Sequence, residues 1–115
     1  MSDRLELLET TREYLLNFNK CLLQVSEELR GGKEKKGLEM IPDITQGLEW
    51  IVVVIKDIKC IDVSNSDLEK LNSILREIVE ALETQDNILV GDLFEYELIP
   101  IINNIENRIN NIITN

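Results

Sequence analysis

Residues 41–58 read IPDITQGLEWIVVVIKDI, and this stretch decides whether the chain contains a β-strand. Its inner part, WIVVVI at 50–55, is apolar, continuous and rich in β-branched residues, which is typical of a buried strand. Across the whole stretch, however, the apolar positions recur at intervals of three and four residues: Ile41, Ile44, Leu48, Ile51, Ile55 and Ile58. Because this spacing continues on both sides of the inner run, and no turn residues bracket it, we predict an amphipathic helix with Pro42 in its first turn.

Three other segments have the same helical periodicity. Leucines recur every seven residues from Leu8 to Leu29, a second stripe runs from Leu68 to Leu82, and a third runs from Phe94 to Ile112. The connections RGGKEKKG and ETQDN contain the glycines and polar residues that end helices. We therefore predict four helices, at about residues 3–30, 39–60, 66–84 and 87–113.

Helix-end signals support these boundaries and give the fold class. Ser66 and Glu69 have the spacing of a capping box, and Asp86 is a suitable N-cap for the last helix. Pro100 removes a hydrogen bond within that helix, so we expect the helix to bend there. Four amphipathic helices with short connections predict a single all-α domain over residues 1–115, an up-down-up-down antiparallel four-helix bundle.

The composition excludes several classes of function. The chain has 22 acidic and 12 basic residues, a formal net charge of -10, so it repels phosphate backbones and we expect no nucleic-acid partner. It contains no histidine, which rules out a histidine general base and any Ser–His or Cys–His nucleophile pair. The two cysteines form no Cys-x-x-Cys motif, so we expect no structural zinc, no other metal and no cofactor.

The chain is expected to be cytoplasmic and to make no membrane contact. No apolar run reaches the roughly 18 to 20 residues that span a bilayer, and the charged N-terminal stretch does not resemble a signal peptide. In such a reducing compartment Cys21 and Cys60 should be free thiols. We expect both to be small buried apolar residues, separated by roughly 20 Å along the bundle and so beyond disulfide reach.

Six apolar residues fall on the outward side of their helices on a helical wheel. They are Trp50, Val53 and Val54 in the second helix and Leu89, Leu93 and Tyr96 in the fourth. One interpretation is that uneven packing buries these helices on two sides. The other is a contiguous apolar patch that binds a protein partner or a second copy of the chain in a homodimer, since Trp and Tyr are favoured at interfaces.

The acidic residues near the last connection suggest a catalytic alternative. Glu80 with Glu83, and Asp92 with Glu95, have spacings that resemble the magnesium-binding pairs of helical nucleotide pyrophosphohydrolases of the MazG type. The competing interpretation is ordinary helix surface, with Glu95 meeting a Lys or Arg of a neighbouring helix. Gly91 lies on the apolar stripe, where it would allow another helix to approach closely.

Two stretches resemble a family of small uncharacterised all-helical proteins of Firmicutes-type bacteria. They are GLEMIPDITQGLEWI (37–51) and ETQDNILVGDLFEYELIPII (83–102). The matching positions are Pro42, Gly47, Leu48, Trp50, Asp92, Leu93, Glu95, Tyr96, Glu97, Leu98 and Pro100. The resemblance implies a small helical fold and no particular activity.

A non-enzymatic interaction module is the function that these observations favour. The size, acidity and helical architecture are similar to those of flagellar and secretion export chaperones, which hold a partner's amphipathic helix in an apolar groove. We expect such a chaperone-like or adaptor role, with a metal-dependent nucleotide pyrophosphohydrolase as the alternative.

Overall fold

The described chain is helical throughout, with four long helical bodies. The computed structural model describes the backbone of residues 2–57 and 65–114, and side chains within 3–56 and 68–114. The elements are α1 (Ser2–Arg30), α2 (Glu34–Glu39), α3 (Ile41–Asp57), α4 (Asn65–Glu83), α5 (Asn87–Asp92), a π-helical segment (Leu93–Leu98) and α6 (Ile99–Thr114). The last three follow one another without a break and form the terminal helix. The predicted all-α four-helix bundle is confirmed.

Helix α1 packs against α3 on one side and against the terminal helix on the other. At both interfaces, residue numbers rise along α1 while they fall along the neighbouring helix. The Tyr14 ring packs at a tilt against the Trp50 ring while Phe18 lies against Gly47, so α1 and α3 are antiparallel. On the other side Arg12 bonds to Asn110 and Asn19 bonds to Asn103, so the terminal helix is also antiparallel to α1.

Helix α4 is attached mainly through the terminal helix. It packs on α5 and on the π segment after a tight connection at 84–86, so α4 runs opposite to the terminal helix and to α3. Among the described residues, the backbones of α3 and α4 come less close to each other than those of the other neighbouring helices, although both helices contribute to one core. The bundle is therefore closed on three sides and open between α3 and α4.

The core is aliphatic and is built from the predicted stripes. Leu15, Leu22, Ile51, Leu98 and Ile102 are each completely or almost completely buried. Thr11 and Ser26 are also fully buried, and each hydroxyl donates to a carbonyl one turn earlier, which satisfies it inside α1. Within the described ranges, no helix is both long enough and apolar enough to cross a bilayer.

The structure confirms several local predictions and revises one. The WIVVVI run is helical, and the Asp86 side chain accepts a hydrogen bond from the Leu89 N–H at 3.1 Å, as expected of an N-cap. The glycine-rich connection is shorter than predicted, because residues 34–39 form the additional helix α2 after Gly32, which adopts a φ of 85°. The predicted helix end at Cys60 lies outside the described residues, and so does the Ser66 side chain on which the predicted capping box depends.

The structure decides between the two interpretations of the outward apolar residues at two positions, and it overturns the expected burial of Cys21. Val54 is 9% exposed and Leu93 is 7% exposed, so both belong to the core and not to an outward patch. Val54 lies beside Ile51 and Ile55 on the buried side of α3, and Leu93 begins the π segment, against which both α1 and α4 pack. Cys21 is an exposed thiol, and not the buried one expected.

Gly47 sets the close approach of α3 to α1. A β-carbon at this position would lie 2.6 Å from the Phe18 ring and 2.8 Å from the Tyr14 hydroxyl oxygen. Real β-carbon contacts are longer than this, so the Phe18 and Tyr14 side chains, or the helices that carry them, would have to shift. A residue without a side chain is therefore required here by packing, although glycine costs about 1 kcal/mol of helix propensity relative to alanine.

We expect Gly47→Ala to lower the free energy of unfolding by about 1 to 2 kcal/mol, because the overpacking cost exceeds the gain in helix propensity. Urea denaturation followed by circular dichroism measures this. Gln46→Ala, at the exposed neighbouring position, is the matched control and should change stability by less than about 0.5 kcal/mol. A Gly47→Ala protein as stable as the wild type would contradict the close approach.

Candidate functional site

An apolar groove of about 630 Å³ lies between α3 and α4. One wall is a face of α3 from Ile41 to Val53, and the other is a face of α4 from Asn72 to Leu82. Phe94 of the π segment, itself only 1% exposed, also lines the groove. The volume is in the range of ligand-binding clefts, which is roughly 300 to 1,000 Å³.

The local sequence of α3 and α4 explains why this groove is apolar up to its rim. Ile44, Leu48 and Ile78 are buried and form its depth. At the edges Val53 is 58% exposed and Val79 is 52% exposed, although both positions could carry polar side chains without disturbing the core. Apolar side chains that continue from the core out to both rims make this groove a candidate binding site.

The groove is long enough for about three turns of helix. The lining part of α3 extends from Ile41 to Val53, which at 1.5 Å per residue is about 18 Å. Because α3 and α4 are antiparallel, the two walls run along each other over this distance. The shape is an elongated trough, which suits an extended or helical segment better than a compact metabolite.

A second cluster of contacts joins the end of α1 to the terminal helix. Arg30 donates from Nη1 to Asp92 Oδ1 at 3.2 Å, from Nη2 to Glu95 Oε1 at 2.5 Å and from Nε to the Ser26 carbonyl at 3.2 Å. Its guanidinium carbon lies 5.6 Å from the centre of the Tyr96 ring, a cation–π distance. This set of residues is called the Arg30 clamp below.

The clamp shifts the titration of its own members. Its hydrogen bonds raise the pKa of Arg30, chiefly through the bond to Glu95, and the same bond lowers the pKa of Glu95. Tyr96 lowers the Glu95 pKa further. A glutamate that acts as a general acid or base near neutral pH needs a raised pKa, so this shift is in the wrong direction for that role. The predicted pairing of Glu95 with a basic residue of a neighbouring helix is confirmed.

Gly91 brings α1 and the terminal helix close together beside the clamp. A β-carbon there would lie 3.1 Å from both the Ser26 carbonyl oxygen and the Arg30 Cγ. The close helix approach predicted at Gly91 is therefore confirmed. The approach places Arg30 within reach of Asp92, the next residue, and of Glu95, one turn further along.

The helical distortion at Pro100 takes the form of a π turn. In α-helical geometry Pro100 would lack the hydrogen bond to the Tyr96 carbonyl and would clash with it. The preceding residues Leu93–Leu98 are instead π-helical, and the Ile99 N–H donates to the Phe94 carbonyl five residues earlier. Such π segments frequently occur at functional sites. Here two successive residues of the π segment contribute to different sites. Phe94 lines the groove, and Glu95 is part of the Arg30 clamp.

Only one of the six predicted partner-binding residues, Val53, lines the groove. Trp50 is partly covered by Tyr14, with ring centroids 4.4 Å apart, so it belongs to the α1–α3 contact. Tyr96 is exposed but is engaged by Arg30, and Leu89 is exposed on α5. Val54 and Leu93 are buried, as described above, so the six residues do not form one surface.

Sequence reasoning missed most of the groove. Leu75, Ile78 and Leu82 fall on the apolar stripe of α4, which was assigned entirely to the core. The available signal was Val79, an apolar residue directly beside that stripe on an otherwise charged helix. Together with Val53 on α3, it marks the two rims.

The carboxylate pairs considered for metal binding do not meet. Glu80 and Glu83 are exposed on α4, whereas Asp92 and Glu95 are bound to Arg30. Over residues 2–57 and 65–114, no group of three acidic or cysteine side chains is placed to hold a metal ion.

Comparison with known proteins gives a family and no activity. A family model described as a domain of unknown function, DUF8042, matches residues 6–108, which is most of the chain. No curated protein and no solved structure matches the chain significantly.

The clamp predicts a pH-dependent contribution of Glu95 to stability. The folded-state pKa of Glu95 is lowered, so its ionised form stabilises the fold. This contribution is fully present above the unfolded-state pKa, about 4.3, and is lost as the pH falls through the folded-state pKa. We therefore expect wild type to be more stable than Glu95→Gln at pH 7, with a smaller difference at pH 3.

Urea unfolding at both pH values measures this difference. Glu97→Gln, at an exposed position two residues away, is the matched control and should differ from wild type by less than about 0.5 kcal/mol at pH 7. A stability difference for Glu95→Gln that stays constant between the two pH values would show that its ionisation does not support the fold.

Proposed function

The chain belongs to the DUF8042 family, whose description names no activity, and we propose from the groove that it is a non-enzymatic interaction module. In this proposal the groove between α3 and α4 binds an amphipathic helix of a partner protein. The observation that carries the proposal is that an apolar groove opens between two adjacent helices of the bundle, with a buried floor and an exposed valine at each rim.

A helix is the partner element that fits this groove best. Helices pack with their axes about 8 to 10 Å apart, and a helix lying between two others meets both of them. A partner with apolar residues at i, i+3 or i+4, and i+7 would place three anchors along the roughly 18 Å of wall. Its backbone groups are already hydrogen-bonded internally, so the apolar walls need supply no polar partners.

The expected affinity is moderate. Burying one aliphatic anchor completely contributes about 1.5 to 3 kcal/mol, but the loss of translational and rotational freedom offsets much of the total. An interface of this size belongs with small, transient complexes, with dissociation constants on the order of micromolar. Such binding suits a chaperone-like or adaptor protein that releases its client. The cytoplasmic location expected from the sequence is part of the same proposal.

Nuclear magnetic resonance of the isotope-labelled protein tests the groove directly. We expect that, in a panel of amphipathic helical peptides of differing charge, at least one perturbs the amide signals of α3 and α4 that line the groove. Val79→Lys, at an exposed position on the rim, should weaken this binding about tenfold or more, because an anchor contact is replaced by a charge.

Ile88→Lys is the matched control, since Ile88 is 60% exposed and lies outside the groove. Both variants should keep the wild-type unfolding midpoint. If no peptide perturbs the groove signals, or if Val79→Lys and Ile88→Lys behave alike, the proposed function is wrong.

The nucleotide pyrophosphohydrolase alternative makes a separate prediction. Titration with Mg²⁺ or Mn²⁺, followed by a panel of nucleoside triphosphates, should show neither metal binding nor pyrophosphate release, because Asp92 and Glu95 are bound to Arg30. Glu80→Gln and Glu95→Gln are the control variants for any activity observed. Pyrophosphate release that is lost in either variant would make the protein an enzyme and overturn the interaction proposal.

A further inference from the structure

We propose that the α3–α4 groove selects basic amphipathic helices, with lysine or arginine residues flanking the apolar face. This inference rests on the proposed function, because it specifies which partner the same groove takes. The charges of the two helices that form the groove, and of the residues at its rims, carry the argument.

The two helices that form the walls carry a surplus of negative charge, and within the lining segments, residues 41–53 and 72–82, four acidic residues outnumber one basic residue. Helix α3 has three acidic residues and one basic residue, and α4 has five acidic residues and two basic ones. These two helices therefore account for half of the formal net charge of -10. A partner that approaches this side of the bundle meets a negative potential before it makes contact.

The acidic residues include positions directly at the rims. Glu49 is exposed and is the charged residue among the described residues that line the groove. Along the α4 wall, a shallow depression shares Asn72, Leu75 and Val79 with the groove and is bordered by Glu80 and Arg76. Glu80 and Arg76 carry opposite charges, so Glu49 leaves the rim with a net negative charge.

A basic helix satisfies both the apolar walls and the acidic rims. Lysine and arginine side chains lay their aliphatic stems along apolar surface and carry the charge at the tip. Flanking residues of this kind would cover Val53 and Val79 with their stems, while their charged ends reach Glu49 and Glu80. Acidic flanks would place a like charge against Glu49.

The same charges argue against other occupants of the groove. A second copy of the chain, with its own net charge of -10, would bring acidic rims against acidic rims. A fatty acid would fit the apolar walls, but its carboxylate would face Glu49 and Glu80. The basic helix is the occupant that the rim charges favour.

Two helical peptides with the same apolar face, one with lysine and one with glutamate at the flanking positions, test the inference. Fluorescence anisotropy measures their binding to wild type and to the double variant Glu49→Lys/Glu80→Lys. We expect wild type to bind the lysine peptide roughly three- to tenfold more tightly at low salt, and this preference to shrink at high salt. The double variant should lose or reverse the preference.

Glu9→Lys/Glu13→Lys is the matched control. It changes the net charge by the same amount on the exposed side of α1, away from the groove. The inference is wrong if this control abolishes the preference as strongly as the rim variant, or if wild type binds both peptides equally. In either case, binding of both peptides that perturbs the groove signals would still support the proposed function. Binding of neither peptide would overturn the proposed function itself.

Self-association is measured by size-exclusion chromatography with light scattering. The inference expects a monomer at the concentrations used for binding. A dimer that Val79→Lys dissociates and Ile88→Lys leaves intact would make a second copy the occupant and overturn the inference.

Discussion

The close approach of two helices to α1 determines how the rest of the molecule is arranged. Gly47 brings α3 against the aromatic rings of Phe18 and Tyr14, and Gly91 brings the terminal helix against Ser26 and Arg30. Both contacts lie on α1, so α3 and the terminal helix are placed by α1. Helix α4 is then positioned through α5 and the π segment. The groove follows from this arrangement, because within residues 2–57 and 65–114 no glycine contact of this kind joins α4 to α3.

The π segment connects the groove with the Arg30 clamp. Phe94 lines the groove, and Glu95, the next residue, is bound by Arg30 at the end of α1. Ion pairs that are partly exposed contribute only about 0 to 1 kcal/mol each, so the stabilising effect of the clamp is modest. Its geometric effect is larger, because several bonds to one planar guanidinium fix the rotation of the helix at this turn. Because Phe94 and Glu95 are consecutive residues of this helix, the bond from Arg30 to Glu95 also restrains the orientation of Phe94 towards the groove.

Much of the fold could be predicted from sequence because it depends on local signals. Helical spacing outweighs the β-branched composition of WIVVVI, and Asp86 caps its helix through a side chain three residues away. The pairing of Glu95 and the close contact at Gly91 could be anticipated from the position of each residue on its own helix. Each of these predictions needs only the position of a residue on its own helix and the presence of some neighbouring helix. The identity of that neighbour does not enter.

The groove could not be predicted in this way. A helical wheel gives the direction of Leu75 or Leu82 relative to the axis of α4, but the gap depends on how far away α3 lies, and that distance is set by glycines elsewhere in the chain. The wheel also fails for Leu93, because the π segment changes the angular spacing between residues. For Val54 it fails because the buried arc of α3 is wider than one stripe.

The acidic surplus and the apolar groove also belong together physically. A protein that exposes valines along a trough risks association with other copies of itself, and a high net charge opposes that association. Evenly distributed charge would be enough for solubility. Helices α3 and α4 instead carry half of the net charge, beside the apolar surface that most needs protection. Charge in that position repels other copies of the chain and attracts basic segments, so one distribution of residues keeps the empty groove soluble and selects its ligand.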